Sequence, residues 1–173
     1  MTVAAPSPTM ELHVKVNGES KTFTTSLNKS IFDVLRAEGY VDVKNGCLVG
    51  DCGSCAIMLD GRPILACCVM APHCEGMEIL TCAGLGRAGD LHPLQTAFLD
   101  HGAAQCGFCT PGILIAAKYL LDQNPKPTDD EIRAALAGNL CRCTGYVKII
   151  DAVRDAAKKM NGKKKGVTKR AKR

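Results

Sequence analysis

Eleven cysteines in 173 residues are the chemistry-bearing feature of this sequence, and their spacing sorts them into sets. Cys47, Cys52 and Cys55 form Cys-x4-Cys-x2-Cys, the plant-type [2Fe–2S] spacing. A short loop that folds thiolates around a cluster must bend sharply and bring its backbone close to the sulfides. Gly46, Gly50 and Gly53 leave that path free of Cβ atoms. Inward-pointing amides can then hydrogen-bond the sulfurs and tune the potential. A fourth ligand must return from elsewhere in the chain, and Cys67, past the Asp60-Gly61 turn signal, is placed to do so. Cys68 is the competing thiol. Adjacent strand residues face opposite sides, so only one of the two can point at the cluster, and Cys67 is the choice.

A second set is Cys106-x2-Cys109 with Cys141-x-Cys143. Each pair lies near an expected helix start, where free N–H groups and the dipole favour thiolates and an anionic cluster. Four more ligands make a second all-thiolate site. Tetrahedral sulfur suits zinc as well as iron; the x4 spacing and glycine loop favour iron for the first set, whereas spacing alone leaves the second set open. Cys68, Cys74 and Cys82 remain as small buried hydrophobes. Cys52-Gly-Ser-Cys55 and Cys106-Gly-Phe-Cys109 could be thioredoxin-like pairs, but no βαβ pattern surrounds them. A Rieske centre needs two histidines, and His13, His73, His92 and His101 show no Cys-x-His spacing. Gly84-x-Gly86-x-x-Gly89 matches a dinucleotide fingerprint by letters alone, since Pro93 and no βαβ unit follow. No catalytic constellation is visible, so substrate chemistry belongs to another chain.

The elements that must position these thiols fall into two kinds. Leu12–Val16 alternates, Asn17-Gly18 is a hairpin signal, and Ser20–Thr24 returns. Ile31, Val34 and Leu35 recur at helical spacing after Ser30. After the cysteine loop a second hairpin reads Ala56–Leu59, Asp60-Gly61, Pro63–Val69, and Met77–Leu80 is a fifth, short strand. Beyond Gly84, Gly86 and Gly89 the period becomes helical. One helix is expected from about Leu91 to Gly102. Thr110-Pro111 reads as an N-cap followed by proline, opening a helix over 112–122. Thr128 with Glu131 fits a capping box for a third helix through about Ala137, and a fourth spans about Tyr146 to Lys159. The expectation is an α+β chain: leader 1–9, a β-rich domain 10–82, linker 83–90, a four-helix domain 91–160, and a tail 161–173.

Composition limits the partners. The formal net charge is +5, but nine of the 22 basic residues fall among the last sixteen, so the body carries −4. That tail, with no aromatic residue, is expected to be solvated and without regular structure; a nucleic-acid contact is the lesser reading of it. No apolar run is long enough for a transmembrane helix. The first ten residues carry neither positive charge nor an apolar core, so no export signal is expected. A cytoplasmic home follows, where eleven thiols favour metal or redox chemistry over disulfides.

Taken together, Gly46-Cys47 through Asp51-Cys52-Gly53-Ser54-Cys55, Asp60-Gly61 and Cys67 resemble the N-terminal half of the iron–sulfur subunit of the molybdenum hydroxylases. Gln105-Cys106-Gly107-Phe108-Cys109-Thr110-Pro111-Gly112 and Gly138-Asn139-Leu140-Cys141-Arg142-Cys143-Thr144-Gly145-Tyr146 resemble that family's second signature. The resemblance covers roughly residues 10–157. It implies a ferredoxin-like β-grasp domain and a helical domain, each with one [2Fe–2S] cluster. It also implies two partner chains, a large subunit with molybdenum pyranopterin and a medium subunit with FAD, arranged as a dimer of heterotrimers. The helical-domain cluster is expected nearest molybdenum, with Gln105 and the backbone of Cys143 touching the pterin. The β-grasp cluster is expected on the route to flavin. Cys68 beside Cys67 departs from the family, which usually has one thiol there, and the basic tail lies outside its pattern. The contrasting reading is a zinc-stapled adaptor whose tail contacts nucleic acid.

Overall fold

The computed structural model describes the backbone of residues 7–170 and the side chains of residues 7–161. Two hairpins, β1 (Thr9–Val16) with β2 (Glu19–Ser26) and β3 (Ala56–Leu59) with β4 (Arg62–Leu65), join through β5 (Glu78–Leu80) into one sheet. The strand order is β2-β1-β5-β3-β4, with β1 and β5 parallel and every other pair antiparallel. Both hairpin turns place two residues in left-handed conformations: Asn17 and Gly18 at φ 51° and 89°, Asp60 and Gly61 at 46° and 76°. Such turns match the twist of the flanking strands.

Helix α1 (Ile31–Ala37) is capped by Ser30, whose hydroxyl accepts from the Asp33 N–H while Asp33 reaches back to the Ser30 N–H. It lays Ile31 and Leu35 on one face of the sheet, against Leu12, Val14, Phe23, Ile57 and Ile79. This is the β-grasp arrangement. The chain then forms α2 (Pro93–Asp100), α3 (Thr110–Gln123), α4 (Asp129–Leu136) and α5 (Val147–Arg170) around a second core centred on Leu94, Phe98, Ile113, Ile132, Ile149 and Val153. The two cores are not independent. Ala56 and Met58 on β3 pack against Ile115 and Tyr119 of α3, so the far face of the sheet is covered by the helical unit.

Several boundaries differ from expectation. The returning strand of the second hairpin stops at Leu65, and Ala66–Cys68 is a 3-10 turn. Helix α3 starts at Thr110, with Cys109 in the cap position, one residue earlier than the Thr110 cap reading. Helix α2 has an unexpected cap: His92 Nδ1 accepts from the Leu94 N–H at 3.2 Å and Gln95 completes the box. Helix α5 runs on past Lys159 to Arg170, because lysine and arginine are good helix formers and isolated glycines only weaken a helix. The leader expected over 1–9 lies outside the described residues except for its end, where Thr9 opens β1; residues 171–173 of the expected tail also lie outside them. No helix among the described residues is long and apolar enough to cross a membrane.

Candidate iron–sulfur sites

The loop between α1 and β3 brings Cys47, Cys52 and Cys55 together through backbone that only small residues permit. A Cβ on Gly46 would stand 2.5 Å from Cys52 Sγ, and one on Gly50 would stand 2.8 Å from Cys68 Sγ. Gly53 has another reason to be glycine: its Cβ would meet Gly138 O of the helical unit at 2.3 Å. The glycine that spacing assigned to sulfide clearance therefore also lets the two units touch. Leu48 sits in this loop at φ 61°, a conformation costly for a residue with a Cβ, and its side chain is exposed.

The loop's amides already point at sulfur. The N–H groups of Val49 and Cys52 donate to Cys47 Sγ at 3.5 and 3.4 Å. These donors hold the Cys47 thiol down at about 6, well below the usual thiol range. Cys67 Sγ lies 3.4 Å from Cys55 Sγ, and Cys68 Sγ lies 3.7 Å from Cys67 Sγ on the exposed side. The strand argument for Cys67 does not hold, because both residues belong to the 3-10 turn. The turn itself directs Cys67 toward Cys55, and Cys68, expected as a small buried residue, is instead exposed with its sulfur over Gly50.

At the second site Cys106 and Cys143 approach to 3.6 Å between sulfurs, and Cys109 faces Cys141. Cys109 caps α3, while Cys141 and Cys143 occupy the loop between α4 and α5. Burial and the neighbouring Cys141 push the Cys109 thiol up to about 12. Burial also opposes ionisation of Cys141, but donors led by the Thr144 hydroxyl, 3.0 Å away, outweigh it and bring the thiol down to about 7. Tyr146, which ends the second signature but was assigned no role there, shapes this loop. Its hydroxyl accepts from the Cys141 N–H at 2.7 Å and donates to Asn139 O at 3.0 Å, with its own backbone at φ 66°.

The two sites are stitched together by backbone. The Leu140 N–H donates to Cys52 O at 2.9 Å, and the Asn139 side-chain amide, in a residue only 6% exposed, donates to Gly53 O at 3.0 Å. Cys52 and Cys141 are thus separated by one hydrogen bond and a short stretch of chain. Cys74 and Cys82 stand apart, each pushed up to about 11 mainly by burial, as small core residues. Gln105, Cys106 and Cys143 are exposed at the open end of the second site.

The donor set distinguishes one metal from two. Four thiolates on a zinc ion at about 2.3 Å must all lie within roughly 4 Å of one another. Here the closest approaches between proposed ligands are pairs, Cys55 with Cys67 at 3.4 Å and Cys106 with Cys143 at 3.6 Å. Paired thiols, glycine-cleared backbone and amides aimed at sulfur fit a two-iron unit better than a single ion.

Residues 14–85 match a family model described as "2Fe-2S iron-sulfur cluster binding domain", and residues 81–154 match "[2Fe-2S] binding domain". The chain is 46% identical over 149 residues to the nicotinate dehydrogenase small FeS subunit of Eubacterium barkeri, covering 86% of this chain and 95% of that one. It is 42% identical to the xanthine dehydrogenase iron-sulfur-binding subunit of Escherichia coli O157:H7, covering 88% and 97%. This chain is an iron–sulfur subunit of the molybdenum hydroxylase family. The quinoline 2-oxidoreductase structure from Pseudomonas putida 86 superposes with a TM-score of 0.85 at 42% identity, over 88% of this chain and 96% of that one. In the aldehyde oxidoreductase of Megalodesulfovibrio gigas the matching 155 residues, 44% identical, make up 17% of a longer polypeptide. Like other iron–sulfur subunits of molybdenum hydroxylases, the chain has a β-grasp unit followed by a helical unit, carries two [2Fe–2S] clusters and transfers electrons. The zinc-stapled adaptor reading is not supported.

Proposed function

We propose that Cys47, Cys52, Cys55 and Cys67 hold one cluster, that Cys106, Cys109, Cys141 and Cys143 hold the other, and that the chain relays single electrons between a molybdenum pyranopterin in a large subunit and FAD in a medium subunit. Each cluster, when bound, accepts and gives up one electron at a time. The protein's part is to fix the distance and the potentials. The observation that carries the reading is the 2.9 Å hydrogen bond from the Leu140 N–H to Cys52 O, which ties a ligand of one site to the residue preceding a ligand of the other. The Cys55–Cys67 and Cys106–Cys143 sulfur pairs, at 3.4 and 3.6 Å, support the ligand sets.

The helical-unit site opens on a face with exposed Gln105, Phe108, Leu140 and Cys143. Exposed apolar groups beside a redox site suit a partner surface, and this face is assigned to the large subunit, with Gln105 and the Cys143 backbone against the pterin. Leu48 and Val49 are exposed beside the first site, and that face is assigned to the flavin side. The relatives' names as small subunits support the partner chains, and a dimer of heterotrimers is the assembly proposed. The division into domains 10–82 and 91–160 about a linker at 83–90 is part of the same reading, supported by the two core clusters, one in each unit, that meet at the β3–α3 contact. The eleven free thiols support a reducing, cytoplasmic setting.

Iron and acid-labile sulfide analysis of the complex tests the function. About four irons and four sulfides per copy of this chain are expected, with two distinct rhombic paramagnetic signals after dithionite. A colourless protein containing zinc would overturn it.

A further inference from the structure

Among the described side chains, one buried polar atom lacks a partner: the hydroxyl of Thr110. Thr110 is the first residue of α3, bonded directly to Cys109 and four residues past Cys106. Its backbone N–H is already taken by Gly107 O at 3.2 Å, and Cys109 occupies the cap position without a side-chain cap bond. The hydroxyl therefore serves neither the turn nor the helix end. Buried hydroxyls are almost always partnered, and an orphan calls for an explanation. The side chains that this end of α3 brings to the second site are thiols, Cys106, Cys109, Cys141 and Cys143, and none of their sulfurs accepts from the hydroxyl, which leaves a sulfide of the bound cluster as the acceptor within the site. Elsewhere in the same site a threonine already does this work, since the Thr144 hydroxyl lies 3.0 Å from Cys141 Sγ.

We propose that the Thr110 hydroxyl donates a hydrogen bond to sulfur of the helical-unit cluster and raises that cluster's reduction potential, an inference that rests on the ligand set proposed above. The sign follows from charge. The reduced cluster carries one more negative charge than the oxidised one, so a fixed donor stabilises the reduced form more. The positive end of α3 acts in the same direction. Thr110 is thus a positioning and tuning residue: it moves no proton and binds no substrate.

The test is a redox titration of the holoprotein followed by paramagnetic resonance, comparing wild type with Thr110→Val and Thr110→Ser. Thr110→Val keeps the shape and removes the donor. It is expected to retain both clusters and to disfavour reduction of one of them about tenfold, equivalent to about 59 mV for one electron. The other cluster's midpoint stays in place, and Thr110→Ser restores the wild-type value. Thr110→Ala, which adds no bulk, repeats the comparison should the valine variant load poorly. Unmoved midpoints in the valine and alanine variants, even with altered thermal stability, would mark a structural hydroxyl and overturn the inference. So would a serine variant displaced as far as the valine one. Zinc in the wild-type chain would instead overturn the proposed function, before any variant is compared.

Discussion

Cys67 and Cys68 differ by one position, and the structure separates them by direction. Cys67 Sγ stands 3.4 Å from Cys55 Sγ, and burial holds its thiol above the ordinary range; Cys68 is exposed at 3.7 Å from Cys67. Cys67→Ser is therefore expected to remove the paramagnetic signal of one cluster and about two of the four irons, while Cys68→Ser keeps both. Metal analysis with the reduced-state spectrum reads the difference, and the reverse pattern would transfer the ligand role to Cys68. Both positions were legible as candidates from spacing. The reason for preferring one was not, because it depends on the chain leaving the strand at Leu65 and tightening into a 3-10 turn. The role of Tyr146, a residue of the second signature, was illegible for a related reason: its hydroxyl meets the Cys141 N–H and Asn139 O where Gly145 and Tyr146 turn through left-handed backbone.

At the scale of elements, local chemistry written in the chain was mostly honoured. Thr128 accepts from the Glu131 N–H at 3.3 Å and Glu131 accepts from the Thr128 N–H at 2.7 Å, so the box expected at α4 forms. Thr128→Ala should destabilise the folded chain by about 1 kcal/mol, read as a lower denaturation midpoint with an unchanged slope. An unchanged midpoint would show that packing of Ile132 and Leu136 alone holds this helix. The cap of α2 escaped notice because histidine is an unusual N-cap, yet burial lowers the pKa of His92, favouring the neutral ring that accepts from Leu94. Helix α5 extends beyond its expected end because the helix preference of lysine and arginine outweighs the like charge they carry.

At the scale of the molecule, three glycine-bearing segments meet where the units join. A Cβ at Gly112 would stand 2.2 Å from Gly53 O and 3.1 Å from the Asn139 amide nitrogen. Gly112→Ala must push α3 away from the first cysteine loop and strain the Leu140–Cys52 link, at a cost of about 1–3 kcal/mol typical of overpacking. The expected result is a lower unfolding temperature together with a weaker magnetic interaction between the two reduced clusters. A spectrum identical to wild type at full iron content would mean that the junction does not set the separation of the sites.

The amino-acid sequence alone determined the inventory: which thiols could act as ligands, two hairpins around one helix, a helical second half, and the family resemblance. Those features are local, carried by spacing, turn residues and caps that act over a few positions. Tertiary structure decided the rest. Only the closed sheet shows that β3 presents its far face to α3. Only the packed junction explains why Gly53, Gly112 and Asn139 must be what they are, because their partners lie as many as 86 positions away in the chain. Contacts across such separations depend on how both units pack, and no short stretch of sequence encodes them.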